Sequence, residues 1–180
     1  MEASAPENLH IYLLIGQSNM AGRAPVPDEL TEVMDRCFLL NTDGAWEHAS
    51  NPLNRHSTIR KGLGMQRLNP GYSFAKKMLE ADPDINIGLI VNAKGGTKID
   101  QWLGKSSLYW GIRGRAKAFK EGGQIKGVLW HQGESDSGSP EDYLDKLKTL
   151  VANLRNDLDA PNLPFVAGQI RFDPHQNLGE

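Results

Sequence analysis

Four short apolar runs punctuate the chain: Ile11 to Ile15, Cys37 to Leu40, Ile87 to Val91 and Val128 to Trp130. Each has the length and the branched or aromatic content of a strand buried on both faces. A fifth run extends from Pro164 to Ile170. Between the later runs the period changes. Tyr143, Leu144, Leu147, Leu150, Val151, Leu154 and Leu158 fall on one face of a helix. Its start is marked by Ser139 as N-cap, Pro140 at the first helical position, and Glu141 and Asp142 at the positive end of the helix dipole. A second helix is predicted over Tyr72 to Leu79. A third is predicted from Leu108 to Glu121, closed by Gly122-Gly123, which can take a left-handed conformation. Buried strands separated by helices describe a parallel sheet covered on both sides, with ligands bound beyond the carboxyl ends of the strands.

The stretch from Asn41 to Gly71 breaks this rhythm. It has little periodicity but contains Trp46 and Gly62-Leu63-Gly64, and it is expected to fold over the site and contact substrate. No repeat, low-complexity tract or linker divides the 180 residues, a length suited to one domain with its own core. Twenty basic and 22 acidic residues give a formal charge of −2 with no long basic run, which argues against nucleic acid as a partner. No apolar stretch approaches the roughly 20 residues of a membrane helix, and no membrane partner is expected. The single cysteine, Cys37, excludes an internal disulfide and reads as a small buried hydrophobe. Met1 to Asn8 lack the basic start and apolar middle of a signal peptide, which leaves location open, secreted or periplasmic if a leader was removed.

Candidate chemistry gathers at three strand ends. The first strand runs into Gly16-Gln17-Ser18-Asn19-Met20, which places Ser18 on a tight turn beyond the strand. A short helix beginning there would aim free backbone N–H groups at an oxyanion, although a serine in this position also serves as an ordinary turn or cap. The third strand ends in Lys94-Gly95-Gly96-Thr97, where glycine lets a backbone N–H approach a ligand. That turn lacks the P-loop ending and the dinucleotide fingerprint. The fourth ends in Trp130-His131-Gln132-Gly133-Glu134-Ser135-Asp136. There the Gln132 amide offers a further donor, and Glu134 and Asp136 are placed to order the loop by accepting backbone hydrogen bonds. His131 and Glu134 are the only close pair for a metal, and His10, His48, His56 and His175 show no zinc spacing.

Together, in order and spacing, these three blocks resemble the SGNH-hydrolase superfamily, and within it the sialate O-acetylesterase-like proteins and carbohydrate esterase family six, which includes acetyl xylan esterases. The resemblance implies a three-layer α/β/α sandwich with a flavodoxin-like, five-stranded parallel sheet. It also implies a serine esterase that removes O-acetyl groups from carbohydrates such as sialic acid or xylan through an acetyl-serine intermediate. Carried over by position, Ser18 is the nucleophile, and the oxyanion donors are the Ser18 backbone, the Gly95 backbone and the Gln132 side chain. No metal or organic cofactor is implied, and the partner is an acetylated carbohydrate.

One block of the family is missing. An Asp-x-x-His, which supplies acid and base, does not occur, and Phe172-Asp173-Pro174-His175 has the wrong spacing. Neither His175 nor His131 is assigned as base. The expectation is therefore a domain truncated at its C-terminus. The competing reading is a carbohydrate-binding domain of the same fold with impaired catalysis, and a lipase-like esterase of the wider superfamily is a third.

Overall fold

The computed structural model describes residues 6–104, 106–118, 122–138 and 140–170. Among these residues six strands form one sheet: β1 (Leu9–Gly16), β2 (Cys37–Leu40), β3 (Trp46–His48), β4 (Asn86–Ala93), β5 (Gln124–His131) and β6 (Phe165–Ala167). Their order across the sheet is β3-β2-β4-β1-β5-β6, and only the β2–β3 pair is antiparallel. With the outer β2–β3 pair set aside, β4-β1-β5-β6 follows the order of a doubly wound sheet, and β1 stands at its switch point.

Among the described residues four helices cover the faces: α1 (Ser18–Ala21), α2 (Gly71–Ala81), α3 (Ser107–Ala118) and α4 (Tyr143–Asp157). The pleat of β1 divides the core. Ile11, Leu13 and Ile15 pack toward Tyr109 and Ile112 of α3 and Leu150 and Leu154 of α4. Tyr12 and Leu14 pack toward Met20 of α1 and Ala75 of α2. Burial on both faces is why this strand reads as an unbroken apolar run.

Three expectations need correction. The sheet has six strands, not five, because the segment after Asn41 returns along β2 as an antiparallel edge. The Asn41 carboxamide oxygen accepts from the N–H groups of Asp43 and Ala45 and closes that turn, at 3.0 and 2.9 Å. Second, α4 begins at Tyr143, whose N–H donates to the Pro140 carbonyl in a separate turn, so Pro140 is not its first residue. Ser139 lies outside the described residues. Third, the apolar face of α4 is unevenly covered: Leu150 and Leu154 are buried, but Leu144 is 60% exposed. The fifth run forms a strand only over Phe165–Ala167. The N-terminus of α3 is capped by the Ser106 hydroxyl, which accepts from Tyr109 N–H at 3.1 Å. Residues 119–121 at its expected end lie outside the described residues.

The segment between β2 and α2 is pinned to the sheet. Asn54, fully buried, accepts the Ala93 N–H at 3.0 Å and donates to the Ala93 carbonyl at 3.1 Å. It thus pairs with the last residue of β4 much as a neighbouring strand would. Arg115 of α3 reaches across and donates to the carbonyls of Leu40 at 2.6 Å and His56 at 2.7 Å. Burial lowers its guanidinium pKa to about 10, so it remains charged at neutral pH. Cys37 is buried in the sheet, and burial pushes its thiol up to about 12.

Candidate active site

Parallel pairing sets Gly16 beside Ala93 on one flank and His131 on the other, so the loops after β1, β4 and β5 leave the sheet side by side. Gly16 makes this closeness feasible. Its φ of +146° is disfavoured for other residues, and a Cβ there would collide with the His131 carbonyl. The freed space lets Gln17 N–H donate to that carbonyl at 2.9 Å, while Lys94 N–H donates to the Gly16 carbonyl at 3.0 Å.

Ser18 opens the single turn of α1, half-buried, in the part of a helix where N–H groups have no intrahelical acceptor. Gly95 faces it. A Cβ built on Gly95 would stand 3.6 Å from Ser18 Cβ, an ordinary contact, and would require the Arg23 guanidinium to move aside. Arg23 itself donates to the carbonyls of Gly22 at 2.7 Å and Met65 at 2.9 Å, tying the long segment to the same corner.

Gln132 is buried at the junction of all three loops. Its amide nitrogen faces the Thr97 carbonyl at 2.8 Å, Asp136 Oδ2 at 2.5 Å and Gln17 Oε1 at 3.1 Å. The Tyr143 hydroxyl fixes the other end of that carboxamide. It lies 2.9 Å from Gln132 Oε1 and 2.7 Å from the Gln132 carbonyl, and it accepts from Trp130 Nε1 at 3.1 Å. Burial raises the Tyr143 pKa, which keeps the phenol protonated. Asp136 accepts the Ile99 N–H at 3.0 Å, so it orders the neighbouring loop in the way the sequence suggests. Among the described residues Glu134 accepts no backbone N–H; its Oε1 accepts from the Asn19 side chain at 2.7 Å.

The three residues singled out from sequence therefore meet at one corner, with a difference in how they meet. Ser18 and Gly95 are in direct juxtaposition, whereas Gln132 connects to Ser18 through Gln17. Gln17 Nε2 lies 3.5 Å from Ser18 Oγ, and its Oε1 accepts from Gln132. The sequence reading overlooked Gln17, Asn54, Arg23 and Tyr143. A polar residue directly before the serine and directly after a buried strand was the available sign for Gln17. Asn54 carried none, because its partner is main chain 39 positions away.

No histidine among the described residues hydrogen-bonds to Ser18. The His131 ring lies against Gly168, with Nδ1 3.6 Å from Glu134 Oε1, and His56 is held by Glu47 at 2.9 Å. His175 and Asp173 lie outside the described residues. A cavity of about 320 Å³ is lined by Gln132 together with Trp130, Tyr143, Leu144, Leu147 and Ile170 among others. Neither Ser18 nor Gly95 lines it.

A family model described as "Carbohydrate esterase, sialic acid-specific acetylesterase" matches residues 8–178. A probable carbohydrate esterase of Arabidopsis thaliana is 36% identical over 188 residues, covering 92% of this chain and 70% of that protein. The crystal structure of the Arabidopsis protein superposes with a TM-score of 0.80 at 33% identity, covering 90% of this chain and 74% of that one. The structure of NanS gives a TM-score of 0.71 at 19% identity, covering 93% and 69% of the two chains. A carbohydrate acetylesterase from Xanthomonas citri gives 0.58 at 22%, covering 88% and 41%. At these last two identities the likeness concerns the fold alone.

Proposed function

Because the chain belongs to the carbohydrate esterase family described as sialic acid-specific acetylesterases, we propose that it is a serine O-acetylesterase acting on acetylated carbohydrate, with Ser18 as nucleophile. The observation that carries the reading is the seat of Ser18: a half-buried residue directly beyond the central strand, with the Gly95 turn that follows β4 packed against it.

In this reading Ser18 Oγ attacks the acetyl carbonyl. The Oγ–C bond forms and the carbonyl electron pair moves to oxygen. Charge on that oxygen is met by the N–H groups of Ser18 and Gly95, with Gln132 as the third member of the oxyanion hole. As the tetrahedral intermediate collapses, the sugar oxygen leaves with a proton in place of the one the serine hydroxyl gave to a base. Water then splits the acetyl-serine, releases acetate and restores the hydroxyl. The base is a group other than the side chains now hydrogen-bonded to Ser18 among the described residues.

Acetate release from O-acetylated sialic acid and from acetylated xylan tests the proposal. The wild-type protein releases acetate from at least one of them and Ser18→Ala does not. Sugar binding with no acetate release from the wild type would favour the carbohydrate-binding alternative. A preference for long acyl chains would favour the lipase-like one.

A further inference from the structure

We propose that Arg23 serves the esterase reaction electrostatically: its guanidinium, held against Gly95 with one nitrogen unbonded, stabilises by its charge the oxyanion that forms at Ser18. This rests on Ser18 being the nucleophile.

Arg36 and Arg115 show what an arginine does here when it only ties main chain together. Arg36 donates from both terminal nitrogens, to the carbonyls of Pro83 at 2.8 Å, Ile85 at 3.0 Å and Leu79 at 3.2 Å. Arg115 likewise uses one nitrogen for His56 and the other for Leu40. Arg23 differs. It is half-buried, and Nη1 makes both of its bonds, to the carbonyls of Gly22 at 2.7 Å and Met65 at 2.9 Å. Among the described residues no carboxylate pairs with it and Nη2 has no acceptor. Nη2 lies where a side chain on Gly95 would begin. Gly95 is buried, and that same point is 3.6 Å from Ser18 Cβ, so the unbonded nitrogen and the serine stand one side chain's width apart.

Two carboxylates make this corner unfavourable for an anion. Asp136 Oδ2 lies 2.5 Å from the Gln132 amide nitrogen, and Glu134 Oε1 lies 2.7 Å from that of Asn19. Attack by Ser18 adds a further negative charge beside them, as the carbonyl pair moves to oxygen. The Ser18 and Gly95 N–H groups and the Gln132 amide meet that oxygen as dipoles, but they carry no net charge to offset the two carboxylates. Arg23 supplies a full positive charge. Its Nη1 bonds fix it in advance, so no reorganisation is needed when the oxyanion appears. Its partial burial weakens screening by water. Because the ester is neutral and the tetrahedral intermediate anionic, the charge favours the transition state over bound substrate. Lys61 is the contrast. Its ammonium also approaches this turn, 3.6 Å from a Cβ built on Gly96, but the residue is exposed and its charge is screened.

The test is labelling of Ser18 in the full chain by a neutral dialkyl fluorophosphate, with kinact and KI measured separately. In labelling, Oγ bonds to phosphorus, the P–F bond breaks, fluoride leaves with the bonding pair, and the hydroxyl proton passes to the base. Charge builds on the phosphoryl oxygen in the same hole. Arg23→Gln keeps an N–H donor for the Gly22 and Met65 carbonyls but removes the charge. It is expected to lower kinact about 10-fold and to leave KI within about two-fold of wild type. Arg23→Lys restores the charge and should label within about three-fold of wild type. Lys61→Gln removes the same charge at an exposed position and should cost less than about three-fold. Labelling by Arg23→Gln within about three-fold of wild type, an Arg23→Lys variant no faster than Arg23→Gln, or an equal loss in Lys61→Gln would overturn the inference.

Denaturation midpoints of the same variants separate charge from tethering. Arg23→Gln and Arg23→Lys both disturb the ties to Gly22 and Met65, so their midpoints should fall together while kinact sets them apart. Rates that simply follow the midpoints would overturn the electrostatic role. So would an Arg23→Gln defect confined to the KM of a carboxylate-bearing acetylated sugar, because Arg23 would then bind substrate rather than act on the oxyanion. Failure of the functional reading looks different: a wild type that takes no label on Ser18, which removes the inference with it.

Discussion

Asn54→Ala offers a quantitative test of how the long segment shapes the candidate catalytic corner. Asn54 is fully buried, and its side chain takes both main-chain groups of Ala93, the residue that closes β4 just before the Lys94-Gly95 turn. It also donates to Gln66 Oε1 at 2.5 Å. The Ala93 carbonyl keeps a second donor in the Ser57 hydroxyl at 3.4 Å, so truncation orphans two groups outright, the Ala93 N–H and Gln66 Oε1. A buried polar group left unpaired costs about 1–3 kcal/mol, and the two together should destabilise the protein by about 3 kcal/mol. For a chain of this size that corresponds to a fall of about 6–12 °C in Tm. Urea denaturation monitored by tryptophan fluorescence measures it. Lys148→Ala, which removes only an exposed ion pair with Asp145, is the control and should change stability by less than about 0.5 kcal/mol. A loss below about 1 kcal/mol for Asn54→Ala would refute the reasoning, because it would mean that water reaches these groups or that neighbours replace them.

Further outcomes follow from the same contacts. Tyr143→Phe removes the acceptor of Trp130 Nε1 and the donor that fixes the Gln132 carboxamide, so it should cost about 1–3 kcal/mol in a denaturation midpoint and also slow acetate release. Arg115→Met strips the Leu40 and His56 carbonyls of their donor. Hydrogen exchange at the amides of Ser57, Thr58 and Ile59 should accelerate while that of β1 is unchanged. For Glu47, burial alone would raise the carboxyl pKa, but hydrogen bonds from His56 and Arg55 hold it below its ordinary value. A depressed carboxylate pKa stabilises the fold above the unfolded value near 4.5 and loses that contribution as pH falls through the folded value. Glu47→Gln should therefore flatten the acid-side decline of Tm; an unaltered profile would show that the ion pair contributes nothing.

What the sequence disclosed tracks burial. Ile11 to Ile15 and Ile87 to Val91 announce β1 and β4 because both faces of these strands are covered, which forces an unbroken apolar run. β3 escaped notice because it is three residues long, with one buried side chain, Trp46, and no alternation to read. The start of α4 was misplaced because Pro140, Glu141 and Asp142 suit a turn as well as a first helical turn. Ser18 and Gly95 were legible as residue types at strand ends. Gln17 was not, since its importance arises from the parallel register that brings β5 beside β1 and so Gln132 within reach. Pairings between loops far apart in sequence leave no local periodicity.

The proposed reaction requires Ser18 to carry the acetyl group during turnover. Rapid quenching of the protein with an acetylated sugar, followed by mass spectrometry of the peptide that spans Gly16 to Gly22, measures this directly. An acetyl adduct on Ser18 that forms and decays with acetate release is the predicted result. Acetate release with that peptide unmodified throughout, and retained by Ser18→Ala, would contradict it.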